Sequence, residues 1–120
     1  MPGSGFAALA AYLDDSASEE QRRAAAAALC QSLHAGDTTV VQVVVHLEEW
    51  CTSSDHLKRG MGTRALAEVV TGAPTVLLLE QLSLIVPFLG DRLADWSSTE
   101  PAARALTAIL RRKQSNREIE

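Results

Sequence analysis

Aromatic residues are scarce in this chain: two tryptophans, one tyrosine and two phenylalanines among 120 residues. A core with so few large rings has to be closed by small and aliphatic side chains, which suits helices packed closely on alanine and leucine. Positive charge is also in short supply. Fifteen acidic against eleven basic side chains leave a formal net charge of −4, which argues against a surface built to neutralise phosphates. The one dense basic run, Arg111-Arg112-Lys113 with Arg117 beyond it, reads as a solvated helix terminus favoured by the helix dipole. Cysteine is confined to Cys30 and Cys51, 21 residues apart and without a C-x-x-C spacing. Both fall on apolar-periodic positions and read as buried, reduced thiols of an intracellular protein, not as a disulfide or a ligand pair. No apolar run approaches the roughly 18 residues that a membrane span needs. The apolar stretch 6–13 has no cation ahead of it and Asp14-Asp15 behind it, so it reads as a first helix and not as a signal peptide.

What is present is a pattern that occurs twice at a spacing of 40. Arg64-Ala-Leu-Ala-Glu-Val-Val70 is echoed by Arg104-Ala-Leu-Thr-Ala-Ile-Leu110, and a turn aspartate, Asp55 or Asp95, precedes each at the same offset. Asp15 lies one further period upstream, before the alanine-rich run 24–29. Self-similarity of about 40 residues in helical pattern is the mark of HEAT-type hairpins, which bury their apolar faces only against one another. The expected fold is therefore all-α: antiparallel helical hairpins stacked as a short HEAT-like α-solenoid that works by surface and not by a catalytic cleft.

The segments follow from local signals. Residues 1–5 read as a flexible leader, and 6–113 as a single helical-repeat domain with hairpins at about 6–35, 37–71 and 75–113. A first helix over 6–14 would align Phe6, Leu9, Ala10 and Leu13. Ser18 with Gln21 makes a capping box for a second helix that ends near 34, with Gly36 as its stop. Asp37 is expected to cap a third helix over 38–52. Its β-branched run from Val40 to Val45 could be a buried strand, but the apolar pattern continues at helical spacing through Leu47, Trp50 and Cys51. Ser53-Ser54-Asp55 then opens a fourth helix reaching about 70, with Leu57, Met61, Ala65, Leu66 and Val69 inward. Gly60 and Gly62 cost that helix about 1–2 kcal/mol together, which implies a tight crossing. Thr71-Gly-Ala-Pro74 reads as a linker. A fifth helix over 75–95 should bend or break at Pro87. Trp96-Ser-Ser-Thr99 is the next turn, and Pro101 belongs to the first turn of a sixth helix that turns Leu106, Ile109 and Leu110 inward. Residues 114–120 read as a polar tail.

Candidate chemistry is thin. His46, Glu49, Cys51 and His56 are metal-capable within eleven residues, but the spacing fits no zinc arrangement and His46 and Cys51 fall on different helical faces. Asp14-Asp15 and Glu19-Glu20 surround a helix N-terminus, where the dipole favours negative charge. Arg92, between Asp91 and Asp95, is expected in a salt bridge within its helix or between repeats. Trp50 and Trp96, at the ends of outer helices, fit either hinge packing or an exposed hot spot. There is no nucleophile elbow, glycine-rich phosphate loop or catalytic Cys/His context. No catalytic, cofactor-binding, metal-binding or partner-binding residue is assigned, and the chain is expected not to be an enzyme.

Beyond the generic repeat, the run from Phe88-Leu-Gly-Asp-Arg-Leu-Ala-Asp-Trp96 to Pro101-Ala-Ala-Arg-Ala-Leu106 has a specific likeness. So does Leu47-Glu-Glu-Trp-Cys-Thr-Ser-Ser-Asp55, leading into Lys58-Arg-Gly60 and Ala65-Leu-Ala-Glu-Val-Val70. Over about 38–110 the chain resembles the N-terminal repeats of the HEAT-repeat adaptor family of the cytosolic iron–sulfur protein assembly targeting complex, a family linked to nucleotide excision repair and transcription. The resemblance implies a non-enzymatic adaptor segment that helps deliver clusters to apoproteins of DNA repair, replication and transcription. It implies protein partners, namely assembly components and client apoproteins, no cofactor of its own, no direct contact with nucleic acid or membrane, and a place in cytoplasm and nucleus. The alternative is a self-contained HEAT- or armadillo-type module binding a peptide or protein. Weak self-association is expected through an uncovered face of the sixth helix.

Overall fold

Three helix starts among the described residues are set by side chains that occupy otherwise orphaned backbone N–H groups. The structure, a computed structural model, describes residues 4–119 and the side chains of 5–115. After α1 (Ser4–Leu13), α2 (Glu19–Ala35) opens on a capping box: Gln21 N donates to Ser18 Oγ at 3.1 Å, and Ser18 N to Gln21 Oε1 at 2.8 Å. α3 (Val40–Cys51) opens on the same device, Gln42 N to Thr39 Oγ1 at 3.2 Å and Thr39 N to Gln42 Oε1 at 3.0 Å. At the start of α4 (His56–Gly72), Leu57 N donates to Asp55 Oδ1 at 3.0 Å.

The cap of α3 differs from the expected Asp37. Gly36 takes the left-handed region, φ 83°, to end α2, and Asp37 N is committed to the carbonyl of Ser32 at 3.1 Å. Thr38 is buried against Ser32, with their hydroxyls 3.0 Å apart. Capping therefore passes to Thr39, whose partner Gln42 stands at the third helical position. The β-branched run is helical throughout, because Val40, Val43, Val44 and Leu47 bury at helical spacing on one face.

The remaining elements are α5 (Thr75–Glu80), α6 (Leu82–Leu93) and α7 (Thr99–Ile119), and among the described residues every regular element is a helix. The expected fifth helix is divided at Gln81, not at Pro87. Proline survives inside α6 because the carbonyl it leaves unbonded, that of Ser83, lies on an exposed stretch where water can serve it. Pro101 is the third residue of α7, where a backbone donor has no helical partner to lose. The expected linker 71–74 is partly helix: Thr71 and Gly72 complete α4, and Ala73 is fully buried. Of the expected leader, residues 1–3 lie outside the described residues and Ser4 and Gly5 already belong to α1. α7 runs through the segment expected to be a polar tail as far as Ile119, and Glu120 lies outside the described residues.

α1 packs on α2, α3 on α4 and α6 on α7, while α4 also meets α2 on one side and α7 on the other. The array is thus an all-α stack in which α2, α4 and α7 succeed one another, as antiparallel hairpins of an α-solenoid do. Fully buried leucines and valines of α2, α3 and α4 form its core, with Leu78, Ile85 and Leu89 continuing it. The close crossing anticipated at the α4 glycines is present: a Cβ on Gly62 would stand 2.8 Å from Trp50 Cβ, and one on Gly60 2.7 Å from the Ser97 carbonyl oxygen. Three side chains depart from the expected faces. Ala10 is exposed, and Tyr12 is buried beside Leu9 and Leu13 in its stead. Leu57 is 70% exposed, since it lies in the first turn of α4, ahead of the stretch that enters the core. Leu110 is 68% exposed although Ile109 beside it is buried.

Candidate functional site

Arginine explains how the helix ends are held and where charge is left over. Arg22, buried, donates to the carbonyls of Tyr12 (3.0 Å) and Asp14 (2.8 Å) at the end of α1. Arg92 donates to the Cys51 carbonyl at the end of α3, and its guanidinium stands 5.6 Å from the Phe88 ring centre. Arg112 reaches the end of α4, donating to Val70 O at 2.8 Å, to Ala73 O and to Thr75 Oγ1 at 2.8 Å. Carbonyls at a helix C-terminus lack intrahelical donors and carry the negative end of the dipole, so a buried cation there is well placed. Two expectations are corrected by this. Arg92 caps the preceding hairpin and forms no salt bridge with Asp91 or Asp95. Within the basic run, Arg112 is a joint between α7 and α4, and only Arg111 and Lys113 around it are exposed.

Asp95 pairs instead with Arg59, Nε to Oδ2 at 2.9 Å, across the two interhelical turns. Arg59 also donates to the carbonyls of Ser53 (3.0 Å) and Ser54 (3.2 Å). Asp95 further accepts from Ser97 N, Ser97 Oγ and Ser98 Oγ. Burial pulls its carboxyl upward, but the bonds from Arg59, Ser97 and Ser98 outweigh that and hold it well below the usual carboxylate range. At the other end of the stack, Glu19 pairs with Arg64 at 2.9 Å, and the Arg64 guanidinium stands 6.0 Å from the Tyr12 ring centre. The acidic group at the start of α2 is thus partly tied to α4.

The metal-capable residues do not converge. His46 stacks near Phe6, ring centres 5.7 Å apart, while His56 lies on Trp96 at 4.9 Å. Cys51 is buried and accepts from Thr63 Oγ1 at 3.6 Å, whereas Cys30 is only half-buried, Sγ 3.7 Å from the Glu68 carbonyl oxygen. Burial pushes both thiols up, so each stays protonated at neutral pH and is a poor nucleophile. Among the described residues no three His, Cys, Asp or Glu side chains gather as a metal site.

Two surface features are left. Trp50 packs against the core with Lys58 Nζ 5.4 Å above it, but Trp96 is 74% exposed, so the two tryptophans take the two different roles open to them. With His56, Leu57 and Met61, Trp96 borders a cleft of about 480 Å³. The larger feature is a groove of about 680 Å³ between α6 and α7, walled by Leu82, Val86, Pro87, Leu106, Leu110 and Lys113. Sequence periodicity placed Leu106, Ile109 and Leu110 on the inward stripe of α7 and expected apolar surface of the Leu106/Ile109 type on its uncovered face; Ile109 is buried, and Leu110 is the side chain left exposed. The α6 wall, Val86 with Pro87, carried no signal beyond apolarity.

A stack of helical hairpins joined through Arg22, Arg59, Arg92 and Arg112, with an aliphatic groove on its last hairpin, is, by class, an α-helical repeat solenoid. The chain belongs to the MMS19 N-terminal family, described as a Dos2-interacting transcription regulator of RNA-Pol-II, whose family model matches residues 44–119. It is 28% identical over 106 residues to the MMS19 nucleotide excision repair protein homolog of Arabidopsis thaliana, an alignment that covers 88% of this chain and 9% of that relative. The chain thus spans about a tenth of the length of that curated relative. No solved structure matches it.

Proposed function

We propose that this chain is a non-enzymatic scaffold segment, one repeat domain over 6–113, of an adaptor serving DNA repair and transcription. In this reading it helps deliver iron–sulfur clusters to apoproteins of repair, replication and transcription, in cytoplasm and nucleus. The observation that carries it is the exposed aliphatic face of α6–α7, built on a repeat stack whose family is described by transcription regulation and whose relative is named for excision repair. The charge balance supports a protein partner over nucleic acid: the net charge is −4, and Arg22, Arg59, Arg92 and Arg112 are engaged with backbone carbonyls. The separated, protonated thiols support a role in which the cluster travels on the partners and not on this chain.

The test is affinity isolation from cells with the chain as bait, in native and Leu110→Asp forms, with captured proteins identified by mass spectrometry. Iron–sulfur assembly components and iron–sulfur proteins of DNA metabolism should be enriched with the native chain and depleted with the variant. Recovery of neither group with the native chain would overturn the iron–sulfur reading.

A further inference from the structure

The second and third hairpins are joined closely along one layer of the stack and loosely along the other. α4 and α7 pack on each other, whereas α3 makes little contact with α5 or α6. The gap left between α3 and α5 is a cleft of about 420 Å³. Leu33 and Val40 are buried at its floor, and Val41 and Leu77 stand 38% and 40% exposed on its two walls. A further hairpin stacked on α6–α7 would cover Val86, Leu106 and Leu110, none of which borders this cleft. The cleft therefore belongs to the junction of two hairpins that are both in place.

Charge is divided between the same two layers. Lysine and arginine lie on α2, α4 and α7, with the one exception of Arg92, which is bonded to the Cys51 carbonyl. α3, α5 and α6 carry Glu48, Glu49, Glu80 and Asp91, all exposed, and Asp37 is exposed in the turn ahead of α3. Two of these acids mark the cleft: Glu80 lines it, and Asp37 stands between its lining residues Gly36 and Thr38. Among the described residues neither forms an ion pair. The cations that come near the same elements are already bonded, Arg112 to the carbonyl of Ala73 and to Thr75 Oγ1, and His34 to the carbonyl of Gly72. An apolar cleft with unpaired carboxylates at its rim is complementary to a segment that has an aliphatic centre and cationic flanks. A symmetric second copy does not meet that description, since it would set Glu80 against Glu80.

We propose that the cleft between α3 and α5 docks a short basic segment of a partner protein, an aliphatic side chain entering between Val41 and Leu77 and lysine or arginine side chains beside it facing Glu80 and Asp37. The proposal rests on the reading of the chain as a protein-binding scaffold, and it is independent of the α6–α7 face and of the cargo.

The experiment uses the whole chain and two synthetic peptides of about 12 residues with the same leucine-bearing centre, flanked by lysines in one and by glutamates in the other. Calorimetry gives the affinities, methyl NMR of Leu33, Val41 and Leu77 gives the site, and sedimentation follows association of the free chain. The lysine peptide should bind and move those methyls, and the glutamate peptide should bind at least about tenfold more weakly. Leu77→Gln should weaken the lysine peptide at least about fivefold by removing a wall of the cleft. Glu80→Lys should weaken it to a similar degree, with the circular dichroism of both variants unchanged. Equal binding of the two peptides overturns the proposal, as does binding that survives both substitutions or moves only the methyls of Leu106 and Leu110. A free chain that associates through the cleft, and becomes monomeric with Leu77→Gln, also overturns it by making a second copy the occupant. The affinity isolation with Leu110→Asp reads the cargo and the α6–α7 face, whereas the peptides read the α3–α5 cleft, so either result can fail while the other stands.

Discussion

The heptapeptides at 64–70 and 104–110 have nearly the same pattern but opposite surroundings. In α4, Leu66, Val69 and Val70 are closed off completely, because α4 has neighbours on both sides. In α7, Ile109 is buried against the stack, Leu106 is half-buried and Leu110 faces outward. A repeat pattern therefore specifies which face of a helix is apolar, while burial is conferred by the next element of the stack. The same contrast applies to the two turn aspartates. Asp55 is a simple N-cap, whereas Asp95 ties two turns together through Arg59.

The largest effect should come from truncating the covered copy of the pattern. Leu66→Ala empties a fully buried site and should cost about 2–5 kcal/mol in urea unfolding. Leu110→Ala should lie within about 0.5 kcal/mol of the native chain, because little of that side chain leaves water on folding. Equal losses at the two positions would mean that α7 is covered in solution. Next in size is a contrast between neighbours. Arg112→Met removes charged donors from the carbonyls at the end of α4 and should cost about 1.5–3 kcal/mol, whereas Arg111→Met, at an exposed site, should change stability by less than about 0.5 kcal/mol. Thermal unfolding of the pair checks this, and a matched loss would make the basic run a solvated terminus after all.

The helices were legible because each depends on neighbours in sequence. Ser18 with Gln21, Gly36, the 40-residue echo and the helical spacing through Val40–Cys51 are all local signals, and each resolves as read. The misreadings have two causes. Asp37 belongs to the turn at Gly36 that closes α2, its N–H bonded to the Ser32 carbonyl, so α3 starts two residues later, on Thr39. Arg92 went to the carbonyl of Cys51, while Leu110 lacks the neighbour that covers Val70; these two are decided by a partner distant in sequence or by the absence of one, and periodicity holds no information about either. The candidate groove was half legible for the same reason: α7 announced its apolar stripe, but the α6 wall exists only through the hairpin's closure.

Asp95 and Asp55 offer a contrast with a pH signature. Asn can still accept at an N-cap, so Asp55→Asn should be nearly neutral, within about 0.5 kcal/mol. Asp95→Asn keeps the shape but loses the charge facing Arg59, and should cost about 1 kcal/mol at pH 7. The folded-state carboxyl of Asp95 lies below its unfolded value, so its contribution is fully present above about pH 4 and is lost as pH falls towards the folded value. The stability gap between the native chain and Asp95→Asn should therefore be flat from neutral pH down to about pH 5 and narrow below about pH 4. Urea titrations at stepped pH measure it. A gap that widens on acidification would show that Arg59 and the serines do not hold the carboxylate form.

The smallest effect concerns a glycine that nothing requires. Gly62 permits a crossing, since a Cβ there would press on Trp50 and on Cys51 Sγ at 3.2 Å. Gly90 stands inside α6, exposed, with no atom within 4 Å of the place a Cβ would occupy. Alanine at an open helix interior restricts the unfolded chain and fits the helix, so Gly90→Ala should stabilise the protein by about 0.5–1 kcal/mol. The same change at Gly62 should destabilise it, because backbone and side chain of the neighbouring helix would have to move. Opposite signs at the two sites in urea unfolding mark α3–α4 as a close-packed hairpin and the outer side of α6 as open surface. If Gly90→Ala also destabilises, α6 is covered in solution at its C-terminal end, and the contrast between the inner and the outer hairpin has to be drawn one helix further out.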